Sequence, residues 1–85
     1  METEQKKKVL LIDDDQFLAQ LYLKNATQHP VELRVAFSGE EGLKILREGF
    51  VPDNILLDIT MPGMSGVETL AKLREEKLVP NADIT

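Results

Sequence analysis

Residues 9–15, VLLIDDD, are a short apolar run (Val9-Leu10-Leu11-Ile12) that stops in three consecutive aspartates, Asp13, Asp14 and Asp15. A continuous apolar run this short reads as a strand covered on both faces, the kind found in parallel sheets. Three adjacent carboxylates repel one another, so their place at the end of a buried strand calls for a use or a counter-charge.

Outward from this stretch, strand and helix patterns alternate. From Asp15 to about Gln28, the apolar residues Phe17, Leu18, Leu21, Tyr22 and Ala26 recur at helical spacing. His29-Pro30 closes that helix, because the residue before proline avoids the α region. Val31, Leu33, Val35 and Phe37 alternate with Glu32, Arg34 and Ala36, a period of two with charges that suit a sheet edge.

Ser38 and Glu41 have capping-box spacing and open a helix carrying Leu43, Ile45 and Leu46, which ends near Gly49. Asn54 to Leu57 is a second buried-type strand, and it too ends in an aspartate, Asp58. After the Thr60–Met64 loop, Ser65 and Glu68 offer another capping box. The following helix shows Val67, Leu70, Ala71 and Leu73 as its apolar face. Ala82 to Thr85 begins a fourth strand. Strands alternating with helices predict an α/β fold with a parallel sheet joined by right-handed crossovers.

Composition bounds the function. A chain of 85 residues forms one small domain, and 42% hydrophobic with 29% charged residues suits a soluble globular protein. A net charge of −5 disfavours direct binding to nucleic acid, and the absence of cysteine excludes disulfides and thiolate metal sites. Val9–Ile12 is too short for a signal peptide or a membrane span, so a cytoplasmic protein with no membrane partner is expected. Residues 1–7 read as a flexible polar tail and 8–85 as the domain.

In a parallel sheet, functional groups gather at the carboxyl ends of the strands. Asp13, Asp14 and Asp58 lie at two such ends, and neighbouring strands would converge them on one pocket. A hard divalent cation such as Mg²⁺ relieves their repulsion, and a carboxylate beside it can attack phosphorus. Asp15 suits the helix N-cap better than a ligand role.

The Asp13-Asp14 strand, Asp58, and the stretch Met61-Pro62-Gly63-Met64-Ser65-Gly66 together closely resemble the receiver domain of two-component response regulators. The Ala36–Leu43 stretch AFSGEEGL is similar to that family's second strand and helix. The resemblance runs from about Lys8 to the last residue and implies a flavodoxin-like (βα)5 parallel sheet. Three strand–helix units and the start of the fourth strand fall within this chain. It implies that Asp58 is the phosphoacceptor, taking a phosphoryl group from a histidine kinase in a self-phosphorylating module rather than a turnover enzyme.

It further implies that Asp14 and Asp58 ligate Mg²⁺ directly, that Asp13 acts largely through water, and that the Thr60 backbone carbonyl completes the protein's share. Receivers carry a switch Thr or Ser after the fourth strand and a Lys after the fifth. Thr85 falls before the first position, and no lysine matches the second; Lys72 and Lys77 are assigned to the third helix. The expectation is a C-terminally truncated receiver whose apolar sheet edge at 54–59 offers a surface for self-association. Two alternatives stay open: an interaction module independent of phosphorylation, and a haloacid-dehalogenase-like phosphohydrolase with Asp13 as nucleophile and Asp15 as acid.

Overall fold

A computed structural model describes residues 7–58, 65–78 and 83–84. Its elements follow the expected alternation. They are β1 (Lys7–Ile12), α1 (Gln16–Ala26), β2 (Val31–Ala36), α2 (Gly39–Arg47), β3 (Asn54–Leu57), α3 (Gly66–Glu75) and β4 (Asp83–Ile84). The sheet is parallel in the order β2-β1-β3-β4, so β1 lies inside it and β2 forms an edge. Residues 1–6 of the expected tail and the 59–64 loop lie outside the described residues, as does Thr85.

β1 starts two residues before Val9, because Lys7 and Lys8 pair with Val31 and Glu32 at the rim of the sheet. β4 pairs with Asn54 and Ile55, which covers the first two residues of the edge expected at β3.

The largest core cluster lies on one face of the sheet, while Leu11 and Ala19 are buried on the other. Leu10 and Ile12 of β1, Ala36 of β2 and Ile55 of β3 pack with Leu43 and Leu46 of α2 and Leu73 of α3. Successive strand residues face opposite sides, so Val9, Leu33 and Leu56 line a groove on the other face with Tyr22, Asn25, Ala26 and His29. There α1 buries only Ala19 fully, while Phe17 is 72% exposed and Leu21 and Tyr22 are also exposed. The expected apolar stripe of α1 is thus largely uncovered by the described residues. In α3, likewise, the buried positions are Gly66, Thr69 and Leu73, whereas Val67 is exposed. Thr69 is tolerated inside because its hydroxyl donates to the Ser65 carbonyl at 2.9 Å.

Helix ends explain the boundaries. Ser65 Oγ accepts from the Glu68 N–H, and Glu68 returns to the Ser65 N–H, a complete capping box. At α2, Ser38 accepts from the Glu41 N–H as expected, but the Glu41 carboxylate reaches the Phe37 N–H instead of the cap residue's own. Gly49, at φ 113°, ends α2 in a backbone conformation that suits glycine. Lys77 lies just past α3 rather than in it, and takes a left-handed φ of 53°. Arg47 of α2 clamps Glu76 at the end of α3, its Nε donating to Oε1 at 2.8 Å. That hydrogen bond holds the Glu76 carboxyl below the usual carboxylate range and raises Arg47. No described helix is long and apolar enough to cross a membrane.

Candidate metal and phosphoacceptor site

The strand register builds the site. Ile12 pairs with both Ala36 and Leu57, so the next residues along β1 and β3, Asp13 and Asp58, sit abreast at the carboxyl ends of adjacent strands. Both backbones are pinned there. The Asp13 N–H donates to the Ala36 carbonyl at 3.0 Å, and the Asp58 N–H donates to the Ile12 carbonyl at 3.0 Å. Each of Asp13, Asp14 and Asp58 offers a carboxylate oxygen, and these oxygens all lie within 4.8 Å of one another. Asp13 and Asp58 are half-buried and Asp14 is exposed, so the cluster opens to solvent on one side.

This donor set fits a hard divalent cation. It is all oxygen, drawn from three carboxylates, and open enough to admit water and a phosphate. The three aspartates of the expected set are therefore brought together, while the fourth contributor, Thr60, lies outside the described residues.

Asp15 plays the other part expected of it. Its Oδ1 accepts from the Phe17 and Leu18 N–H groups at 3.0 and 3.1 Å, capping α1. Its own N–H donates to Asp13 Oδ1 at 3.0 Å, a contact the sequence reading did not identify. This bond fixes one oxygen of Asp13 beside the cluster. The signal for it was present, since an aspartate commonly bonds the N–H two residues on. Its Oδ1 is engaged at the helix start, which fits the cap role rather than the acid role of the dehalogenase-like alternative.

Asp15→Ala therefore separates cap from ligand. The substitution is expected to cost about 1 kcal/mol, lowering Tm by about 4–8 °C in a domain of this size. Mg²⁺ affinity stays essentially unchanged, because the backbone N–H that holds Asp13 remains. Thermal denaturation with and without Mg²⁺ checks both halves.

The family description that matches this chain, "Response regulator receiver domain", covers residues 9–85. This chain belongs to the response-regulator receiver family. Among curated relatives, the receiver is 42% identical over 81 residues to the nitrate/nitrite response regulator NarL of Escherichia coli K12. That match covers 92% of this chain and 37% of NarL. The chain thus spans little more than a third of that relative's length.

Among solved structures, a CheY-like receiver from Methanospirillum hungatei superposes with a TM-score of 0.86 at 29% identity, covering 94% of this chain and 63% of that one. The response regulator TrrA of Thermotoga maritima, solved in complex with Mg(2+)-BeF, gives a TM-score of 0.78 at 35% identity, covering 92% and 65%. The parallel sheet and the flavodoxin-like arrangement of the receiver agree with these neighbours.

Proposed function

We propose that this receiver is a cytoplasmic phosphoacceptor module in which Asp58 takes a phosphoryl group from a histidine kinase in a Mg²⁺-dependent reaction. The observation that carries the reading is the convergence of Asp13, Asp14 and Asp58 within 4.8 Å at the ends of two adjacent strands. Similarity to a receiver solved with Mg(2+)-BeF supports it.

Asp13, Asp14 and Asp58, with the Thr60 carbonyl, are the residues that would hold the metal. Bound there, Mg²⁺ supplies positive charge that offsets the repulsion between these carboxylates and an incoming phosphoryl group. The chain's own residues do the rest. A carboxylate oxygen of Asp58 attacks phosphorus and forms the new O–P bond. The N–P bond of the phosphohistidine donor breaks, and its electron pair returns to the imidazole nitrogen. The strand-end hydrogen bond from the Asp58 N–H to Ile12 fixes the nucleophile's backbone, and the Asp15 N–H orients Asp13 beside it.

The test needs no cognate kinase. Incubated with Mg²⁺ and a small acyl phosphate as donor, the chain is expected to gain one phosphoryl group by intact mass. The adduct should be labile to hydroxylamine, as an acyl phosphate is. Chelating Mg²⁺ should suppress it. No mass gain at any donor concentration, from a folded chain, counts against the proposal.

A further inference from the structure

β2 ends the sheet, so one side of its backbone has no ladder partner among the described residues. Which groups face that open side follows from two bonds. The Pro30 and Ala36 carbonyls accept from the N–H groups of Lys7 and Asp13, both at 3.0 Å, and so point toward β1 and its continuation. Backbone direction alternates along a strand, so Glu32 and Arg34 also turn their amides inward, and Val31, Leu33 and Val35 turn theirs outward. The Val31 N–H already donates to the His29 carbonyl at 2.7 Å. Leu33 and Val35 thus supply the edge's available N–H groups, and Val31, Leu33 and Val35 its carbonyls.

Side chains alternate as well. Val31 and Leu33 line the apolar groove beneath α1. Glu32 and Arg34 share the opposite face, where the Arg34 guanidinium lies 4.9 Å from the Phe50 ring centre. Both are well exposed, and their charged atoms approach within only 3.9 Å of one another.

We infer that β2 is a homotypic docking edge: a second copy of this chain adds its own β2 antiparallel to this one, about a twofold axis through Leu33. The strand is self-complementary in that register. Leu33 faces its own copy, with each N–H meeting the other's carbonyl, and each Val35 N–H meets the other copy's Val31 carbonyl. On the α1 face, Val31, Leu33 and Val35 oppose Val35, Leu33 and Val31, which continues the apolar surface of the groove. On the other face, Glu32 opposes Arg34 and Arg34 opposes Glu32. These are non-hydrogen-bonded pairs, in which opposing Cα atoms approach to about 4.5 Å and side chains interact most closely.

The charges also select the register. Sliding one pairing step in one direction sets Arg34 against Arg34; sliding in the other sets Glu32 against Glu32. Edge charges often serve to block strand addition. Here their signs and spacing leave one antiparallel register attractive, and that complementarity favours a second copy over an unrelated strand. The inference does not depend on phosphoryl transfer.

Sedimentation of the chain over a range of concentrations, with charge-reversed variants, tests it. The unaltered chain is expected to show a concentration-dependent monomer–dimer equilibrium. Arg34→Glu and Glu32→Arg each turn two attractive cross-strand pairs into repulsive ones, and each should weaken dimerisation at least about tenfold. The double variant Glu32→Arg/Arg34→Glu restores opposite charges in the same register and should recover dimerisation. Circular dichroism of each variant confirms that the fold is kept. Three results overturn the inference. One is a monomer at every concentration up to about 1 mM, where only the weakest association would escape detection; the edge would then serve another occupant or none. Another is equal dimerisation by all variants, which would place the contact elsewhere. The third is a double variant no better than the single ones, which would remove the proposed register.

Discussion

Asp58→Asn is expected to abolish phosphoryl incorporation while leaving the receiver folded. Asparagine keeps the shape of the side chain and leaves the backbone bond from residue 58 to Ile12 in place, but its amide is not a nucleophile toward phosphorus. Asp13→Asn should behave differently, slowing incorporation through weaker metal binding without removing the acceptor. In the dehalogenase-like alternative these two outcomes exchange places.

Stability gives a second readout of the same variant. At the separations in this cluster, each like-charge pair costs about 1 kcal/mol in water-like surroundings. Asp58→Asn removes one of the three charges that Mg²⁺ would offset. The unaltered chain should gain about 2.7 kcal/mol when Mg²⁺ is one hundredfold above its dissociation constant, and the variant should lose most of that gain. Intact mass and paired thermal melts, with and without Mg²⁺, measure both effects.

The largest structural effect is expected at Gly42, where α2 crosses the sheet with no room for a side chain. A Cβ there would lie 2.6 Å from Ile12 Cδ1 and 2.9 Å from Ile12 Cγ1. Ile12 is completely buried in the core cluster and cannot swing into solvent. Gly42→Ala gains about 1 kcal/mol of helix propensity against about 1–3 kcal/mol of overpacking. Its net cost is therefore modest.

Gly42→Leu has no such balance. Its longer side chain must separate α2 from β1, in a domain whose whole stability is about 4–13 kcal/mol at usual values per residue. Loss of cooperative thermal unfolding is expected. Shortening the opposing residue in Gly42→Ala/Ile12→Val removes the Cδ1 contact and should recover part of the alanine variant's loss. Because Ile12 directly precedes Asp13, Gly42→Ala should also weaken Mg²⁺ binding, although it lies on a different element from the ligands.

The order of elements and the acidic pocket were legible in the sequence because they rest on local signals. VLLIDDD announces a buried strand with acids at its carboxyl end, and the Ser65–Glu68 spacing announces a helix start. The register placing Asp13 beside Asp58 follows once the two strands are neighbours. The pattern on α1 misled for a physical reason: periodicity marks which face of a helix is apolar, while burial depends on what packs there. Among the described residues little covers Phe17 and Leu21. Thr69 does not read as a core position in the sequence, because its polarity hides the hydroxyl bond that satisfies it. The Ile12–Gly42 contact joins residues thirty apart in the chain, and no local signal reports it.

The central claim is that Asp13, Asp14 and Asp58 act as one Mg²⁺ site in this chain. A Mg²⁺ titration followed by two-dimensional amide NMR tests it most directly. The account predicts a dispersed spectrum in which the amides of Asp13, Asp14 and Asp58 shift together along one saturating curve, with residues of the α2 surface unmoved. A dispersed spectrum in which these three amides stay still, or move independently without saturation, would contradict it.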